Sequence, residues 1–135
     1  MQNNPVSTWH YLLQHQMQGL DDFLAEDVVF HSPVVHTPQA GKTITSQYLI
    51  AAHHVFNNDS FTYRQEIIGH QTAVLEFNLE IDGIKINGVD MLQWNAAGKI
   101  TEFKVMIRPL KGLNIIHEKM KEMLEQQMKT TKRQN

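Results

Sequence analysis

The sequence predicts an α+β domain in which helices cover one face of a curved antiparallel sheet. Apolar residues recur at helical spacing up to about residue 56, alternate with polar residues over 61–107, and return to helical spacing near the end. A length of 135 residues suits one domain with its own core. We therefore expect residues 1–135 to form a single domain, in which 113–135 are a C-terminal helix and a frayed tail.

Composition argues against several classes of protein. The formal net charge is −2 with mixed signs along the chain, so no basic surface for nucleic acid is expected. No apolar run approaches the ~20 residues of a membrane span, and the N-terminus lacks the basic and apolar parts of a signal peptide. The absence of cysteine excludes disulfides and thiolate metal sites. We expect a soluble cytoplasmic protein that binds neither nucleic acid nor membrane.

Two helices are predicted before the first strand. One runs from about Ser7 to Met17 and ends near Gly19, because its apolar residues lie at helical spacing. The segment LDDFLAED predicts a short second helix bounded by acids. In the following DVVFHSPVVHTPQAG, alternate residues share one strand face: Val28, Phe30, Ser32 and Val34. Its two prolines favour an edge strand that runs into a loop.

A third helix is predicted from Thr43 to Phe56, with Thr43 and Thr45 as candidate N-terminal caps. A meander follows. Its rows are Phe61, Tyr63, Gln65 and Ile67; then Ala73, Leu75, Phe77, Leu79 and Ile81; then Ile84 to Trp94; then Thr101, Phe103, Val105 and Ile107. Asp82-Gly83 is a strong hairpin signal.

The last helix is predicted to begin at Asn114 as a cap. Its apolar residues form a stripe: Ile116, Met120, Met123, Leu124 and Met128. Such a stripe is expected to pack on the body of the domain or on a partner.

One carboxylate stands out in the strand IKINGVDMLQW. Strand alternation puts Asp90 on the apolar side, in a row with Ile86 and Leu92. Burial without a partner raises the pKa of a carboxyl group from about 3.9 by up to several units, which makes the group a proton donor near neutrality. The alternative is a paired or hydrogen-bonded structural acid at a strand end. We expect Asp90 to be the polar group of an apolar pocket.

The order of elements, with LAEDVVFHSPV early and GVDMLQWNAAGKITEFKVMIRPL late, resembles the nuclear transport factor 2-like superfamily and its SnoaL-like group. The resemblance covers roughly residues 5–116. It implies a cone in which a bent sheet encloses a deep apolar pocket, and a dimer through the outer sheet face. The family includes ketosteroid isomerase, polyketide cyclases and limonene-epoxide hydrolase, together with many proteins of unknown activity, so fold alone does not give function.

The resemblance also implies roles for individual residues. Asp90 matches the isomerase acid that donates a hydrogen bond to the substrate oxygen, a carboxylic acid kept neutral by its apolar site. Ser32 falls where the isomerase has its catalytic base, and Trp9 falls close to its tyrosine donor. A serine does not shuttle a proton unaided at neutral pH, and an indole only donates. The Asp-Arg-Asp arrangement of the epoxide hydrolase is missing.

The candidate catalytic residues are therefore Asp90 and Ser32. The candidate ligand-binding residues are the aromatic and aliphatic side chains of the predicted inner faces: Trp9, Phe30, Tyr48, Phe77, Leu92, Phe103 and Val105. Several have a structural alternative. The Ser32 hydroxyl could bond to nearby backbone at the Ser-Pro turn, the Trp9 N–H could bond to a carbonyl in the core, and Tyr48 could be core packing.

The eight histidines match no known metal-ligand spacing, so no metal or other cofactor is expected. By strand parity His31 points away from the pocket, and the adjacent His53 and His54 cannot both face the same way on a helix. A histidine could replace the missing base, and His36 or His53 is the candidate.

The outer sheet face is predicted to form a homodimer interface. It is mixed in character, with charged and polar residues beside apolar ones: Glu76, Asn78, Glu80, Lys104, Met106, Arg108, Val74, Val89 and Met91.

Three hypotheses for function follow. The first is a dimeric, cofactor-independent enzyme that catalyses isomerase-, cyclase- or lyase-type proton transfer on a small apolar carbonyl or enol compound. The second is a non-catalytic domain that binds an apolar molecule in the same pocket. The third is a protein-interaction module that uses the outer sheet face or the Met-rich last helix.

Overall fold

The computed structural model describes residues 4–134, with the side chains of 4–129. The helices are α1 (Pro5–Gln14), α2 (Leu20–Phe23), α3 (Lys42–Phe56) and α4 (Leu110–Gln134). The strands are β1 (Leu24–His31), β2 (Gln39–Ala40), β3 (Thr62–Ile68), β4 (Thr72–Ile81), β5 (Ile84–Trp94) and β6 (Ile100–Arg108). The predicted α+β class is confirmed, with N-terminal helices, a curved unclosed sheet and a C-terminal helix.

The sheet has six strands in the order β2-β1-β6-β5-β4-β3. β3 to β6 form the predicted antiparallel meander, and Asp82-Gly83 joins β4 to β5 with a positive φ at both residues. β1 pairs in parallel with β6 and in antiparallel with the short β2. The prediction of β1 as an edge strand is therefore wrong, because the chain returns through the meander to place β6 beside it.

The inner face of the sheet carries the core. Leu75 and Phe77 of β4 and Leu92 of β5 are fully buried. Gly88 pairs with Phe77, and a Cβ added at Gly88 would lie 2.5 Å from Phe77 Cζ and 2.6 Å from the Met106 carbonyl oxygen. The missing side chain at Gly88 thus lets the Phe77 ring lie across the strand.

The first two helices differ from their predicted bounds. α1 begins at Pro5, where the Asn4 side chain accepts a hydrogen bond from the Val6 N–H at 2.9 Å, and it ends at Gln14. Gln16 and Met17 have positive φ, so the helix cannot continue to Met17. Gly19 precedes α2 as its N-cap and does not end α1. α2 has a single turn, because the segment from Leu24 onward pairs with β6 as β1.

The predicted caps of the later helices are also wrong. Gly41 precedes α3 without a side-chain cap, and Thr45 is fully buried inside the helix. α4 begins at Leu110, four residues before the predicted cap at Asn114. The Pro109 carbonyl accepts from the Leu113 N–H at 2.9 Å, so the helix starts directly after the proline that ends β6. α4 continues to Gln134, into the segment predicted as a frayed tail; Asn135 lies outside the described residues.

Two strand rows are shorter than predicted. β1 ends at His31, so Ser32 and Val34 lie beyond the strand and do not continue the row of Phe30. The register of β3 against β4 shifts between Tyr63 and Gln65, which breaks the predicted row along β3. Within the described residues no helix is long and apolar enough to cross a membrane.

Candidate functional site

An apolar cavity of about 190 Å³ lies between α1, α3 and the inner face of the sheet. We call it the Asp90 cavity. Trp9 and Leu13 line it from α1, Phe56 from α3, and Phe61 from the segment before β3. Asp90 of β5 is the carboxylate in its wall.

Asp90 is held by strand pairing on both sides. It pairs with Leu75 of β4 and Val105 of β6, so its side chain shares the inner row of these buried residues. Only 6% of the residue is exposed. Strand alternation therefore fixes the carboxyl group on the apolar face, as predicted from the sequence.

A chain of hydrogen bonds ends on this carboxyl group. The Trp9 indole N–H donates to the Tyr63 hydroxyl oxygen at 2.8 Å, and the Tyr63 O–H donates to Asp90 Oδ2 at 2.5 Å. Among the described residues, the other carboxyl oxygen, Oδ1, has no hydrogen-bond partner. Asp90 is thus oriented through one of its two carboxyl oxygens.

The same surroundings change the protonation of Asp90. Burial raises the pKa of its carboxyl group to about 7, and the hydrogen bond from Tyr63 lowers it in part. Burial, followed by the charge of Asp90, raises the pKa of the Tyr63 phenol well above its usual value. Near neutral pH Asp90 is therefore divided between a proton-donating and a proton-accepting form, while Tyr63 keeps its proton.

His53 of α3 lines the same cavity. Burial, with a smaller effect from the neighbouring His54, lowers the pKa of the His53 imidazole. The neutral imidazole is a proton acceptor at neutral pH. His54 lines a different cavity, so the two histidines face apart as predicted. His36 is exposed and does not line the cavity that contains Asp90.

A second cavity of about 260 Å³ lies between α3, α4 and the loop that follows β1. We call it the α4 cavity. Ser32 lines it, and the Ser32 Oγ accepts from the backbone N–H groups of Val34 at 3.1 Å and Val35 at 3.4 Å. The Ser32 hydroxyl thus forms hydrogen bonds with nearby backbone, which is the structural role considered as the alternative for this residue. Ser32 does not line the Asp90 cavity.

The predicted ligand-binding residues divide into three groups. Those that line the Asp90 cavity are Trp9, Phe30, Phe103 and Val105. Tyr48 lines the α4 cavity, where its ring stacks on Phe30 with the centroids 5.2 Å apart. Phe77 and Leu92 are fully buried core residues and line neither cavity.

Tyr63 is the site residue that the sequence analysis did not single out. It falls in an ordinary apolar row of the sequence, and the structure pairs it with Phe77 of β4 and brings its hydroxyl to Asp90. The signal that could have found it is a phenol within an aromatic run, since a buried tyrosine hydroxyl needs a partner and Asp90 is in the next hairpin. The same reasoning applies to Trp9, whose N–H bonds to this phenol and not to a carbonyl.

No cluster of three or more His, Asp or Glu side chains suited to a metal ion occurs within the part of the chain that the structure describes.

On the outer sheet face, the pairs Val74–Met91 and Val89–Met106 lie side by side across three strands, and Met106 is 53% exposed.

Comparison with known proteins identifies the family. The SnoaL-like domain matches residues 8–103, which is most of the chain. The chain belongs to the SnoaL-like domain family. The predicted resemblance is thereby confirmed, and the matched part of this SnoaL-like protein ends within β6, before α4.

Solved structures agree with this assignment. A steroid delta-isomerase from Pseudomonas aeruginosa is similar with 31% sequence identity and a TM-score of 0.86, covering 92% of this chain and 91% of that one. An uncharacterized bacterial protein with a cystatin-like fold from Silicibacter pomeroyi has 25% identity and a TM-score of 0.79, covering 87% of this chain and 83% of that one. An NTF2-like protein of unknown function from Mesorhizobium loti, at 17% identity, TM-score 0.66, and coverage of 78% and 88%, shares the fold. No curated protein sequence matches the chain.

Proposed function

We propose that this SnoaL-like protein is a cofactor-independent isomerase that moves a proton within a small apolar enone or its enol. The observation that carries the proposal is the Asp90 carboxyl group, buried in an apolar cavity and held by Tyr63 at 2.5 Å. The similarity to a steroid delta-isomerase at 31% identity supports the same class of reaction.

Asp90 acts as the acid in this proposal. Its neutral form donates a hydrogen bond to the carbonyl oxygen of the ligand, and this bond strengthens as the oxygen gains negative charge. The apolar wall makes the interaction stronger than it would be in water. Tyr63 and Trp9 position the carboxyl group through the two hydrogen bonds described above.

His53 acts as the base, in the role for which Ser32 is chemically unsuited. The neutral imidazole takes a proton from the carbon next to the carbonyl, the C–H electrons form the enol double bond, and the same proton returns to a different carbon. The reaction requires Asp90 protonated and His53 neutral. Turnover therefore falls as the pH rises above about 7, the pKa of Asp90, and falls at low pH as His53 becomes protonated.

The test is the conversion of cyclohex-3-enone to cyclohex-2-enone, followed by the ultraviolet absorbance of the conjugated product. Asp90→Asn and His53→Gln should each lower the turnover by about 100-fold. His70→Gln is the matched control, because His70 is exposed and lines neither the Asp90 cavity nor the α4 cavity. Its turnover should equal that of the wild type.

Unchanged turnover in Asp90→Asn would refute the assignment of the acid, and unchanged turnover in His53→Gln would refute that of the base. A loss of turnover in Ser32→Ala, with the turnover of His53→Gln unaffected, would assign the role of the base to Ser32 in place of His53. Tight binding of the ketone with no turnover in any variant would favour a non-catalytic binding domain, which is the alternative function.

The dimer is a further part of the proposal. Exposed Met106 and the neighbouring Val89 and Met91 give the outer sheet face an apolar centre flanked by charged residues, which suits a self-complementary interface. Met106→Lys would place two like charges near the symmetry axis. It should convert a dimer into a monomer in light-scattering measurements, and a monomeric wild type would refute this part.

A further inference from the structure

The α4 cavity adjoins the Asp90 cavity. Both are lined by the same side chains at their boundary: Phe30, Ala52, Phe56 and Val105. Ala52 has only a methyl group, and it lies one helical turn from Phe56 on the same face of α3. Ala52 is thus the smallest of the four side chains at the boundary, beside the larger Phe30 and Phe56.

One row of apolar side chains on α4 forms the outer wall of this second cavity: Ile116, Met120, Leu124 and Met128. A spacing of four residues puts them on one face, over a length of about 18 Å. Ile116 is 1% exposed and Met128 is 61% exposed. The cavity therefore runs from a buried inner end to an end that is open to solvent.

Charged groups lie only at the rim of the α4 cavity, as far as the described residues extend. His117, Lys121 and Glu125 belong to the next row of α4 and are exposed. Lys121 and Glu125 have opposite charges, so the rim favours neither an anionic nor a cationic group on a ligand. The inner wall is aliphatic and aromatic, and its methionines adapt readily to the shape of a flexible chain.

We propose that the ligand of the Asp90 cavity carries a long flexible hydrocarbon chain, and that this chain extends past Ala52 into the α4 cavity. The inference rests on the proposed function, because the carbonyl or enol oxygen of the ligand is bound at Asp90. It names the substrate class: an enone or enol with an alkyl or alkenyl tail, and not a compact ring alone. The α4 side of the site lies beyond residues 8–103, the part matched by the family.

The adjacency of the two cavities, which share four lining residues, is the main argument. A compact ligand would occupy the Asp90 cavity and leave the apolar wall of the α4 cavity in contact with water. A chain that covers this wall gains about 0.8 kcal/mol for each methylene buried, which is about a fourfold gain in affinity.

A series of 4-alkylphenols tests the inference, because a phenol is a stable enol. Calorimetry would compare 4-methyl-, 4-butyl- and 4-octylphenol. From 4-methylphenol to 4-butylphenol the affinity should rise by about 30-fold or more. The rise should continue to 4-octylphenol, because the α4 cavity extends to its open end at Met128.

Two variants at matched positions locate the chain. Met120→Trp fills the α4 cavity, whereas Met123→Trp makes the same change on α4 at a residue that lines the separate cavity beside His54 and Val55. Met120→Trp should bind 4-methylphenol like the wild type and lose at least tenfold in its affinity for 4-butylphenol. Met123→Trp should bind both phenols like the wild type.

Two outcomes would overturn the inference and leave the proposed function standing. In the first, 4-methylphenol binds but the affinity does not rise from 4-methylphenol to the longer alkylphenols. In the second, the affinity rises with chain length equally in Met120→Trp. Failure of 4-methylphenol to bind, together with no turnover of cyclohex-3-enone, would overturn both. Should Met120→Trp fail to fold, Leu124→Phe, one turn away in the same row, gives the same comparison.

Discussion

The Asp90 cavity and the α4 cavity share a wall but differ in chemistry. The first contains a carboxyl group, a phenol and an indole N–H joined by hydrogen bonds. The second is lined mostly by aliphatic and aromatic side chains, with hydroxyl groups at Ser32 and Tyr48, and its charged residues are exposed at the rim. The difference teaches that the sheet, α1 and α3 supply the groups that can do chemistry, whereas α4 supplies apolar surface. Energetic effects in the first should depend on pH, and those in the second should not.

The largest expected effect is the pH dependence of stability caused by Asp90. Its folded-state pKa of about 7 exceeds the usual 3.8, so the folded protein binds the proton more tightly than the unfolded chain. This stabilisation is complete below about pH 4 and is lost as the pH rises through 7. Relative to Asp90→Asn, the wild type should lose up to roughly 4 kcal/mol between about pH 4 and pH 8.

Urea unfolding of both proteins across this pH range measures the effect. Asp59→Asn, a change at an exposed aspartate, is the control and should leave the pH profile of the wild type unchanged. Parallel profiles for the wild type and Asp90→Asn would mean that the carboxyl group is solvated or paired.

In the α4 cavity, Ile116→Ala should lower the free energy of unfolding by about 3 kcal/mol, because it removes most of a side chain that is 1% exposed. The loss should be equal at about pH 5 and about pH 8, since the substitution changes no titrating group. Ile50→Ala, at a residue 37% exposed in α3, should cost much less. A loss of unfolding free energy in Ile116→Ala that doubles between the two pH values would contradict the expectation that effects in the α4 cavity do not depend on pH.

Tyr63→Phe should cost about 2 kcal/mol, because it leaves the Trp9 N–H and the Asp90 carboxyl group without their shared partner. The cost should be greater at about pH 8, where Asp90 is ionised, than at about pH 5. The pKa of Asp90 should rise, since the hydrogen bond from Tyr63 lowers it. NMR titration and chemical unfolding check both statements, with Tyr11→Phe at an exposed tyrosine as control.

The smallest effect is expected at Ser32. Ser32→Ala removes the acceptor for two backbone N–H groups in a partly exposed turn, which should cost about 0.5 kcal/mol at any pH. Thermal unfolding at two pH values measures it. A loss several times larger, or one that changes with pH, would show that the Ser32 hydroxyl has a partner of a different kind.

The sequence predicted the meander well because strand alternation and the Asp82-Gly83 turn are local signals. The whole of Ile84–Trp94 is β5, and Asp90 lies on its buried face. Helix ends were harder, since α1 stops where Gln16 and Met17 take positive φ, which no residue type at these positions signals. The parallel pairing of β1 with β6 is a long-range contact, and periodicity carries no information about it.

Only part of the candidate site could be predicted, because local patterns do not reveal long-range contacts. The inner face of β5 follows from alternation, but the hydrogen bond from Tyr63 to Asp90 joins β3 to β5 across β4, a long-range contact that alternation cannot reveal. Strand alternation placed Ser32 in the same row as Phe30. The strand in fact ends at His31, and the Ser32 hydroxyl accepts a hydrogen bond from the backbone of the following turn. The division into two cavities depends on how α4 packs on α3, which only the tertiary structure gives.

The hydrogen bond of Trp9 has a practical consequence. Its indole is stacked on Phe23 at 5.7 Å, meets Phe103 edge-on at 5.0 Å, and reaches Asp90 through Tyr63. The chain has two tryptophans, so Trp94→Phe would leave a single tryptophan, in the wall of the Asp90 cavity. The emission of an indole responds to the polarity and charge around it. The protein thus carries an intrinsic optical reporter of its own pocket, and light emitted by Trp9 can follow both the ionisation of Asp90 and the entry of a ligand without any added dye.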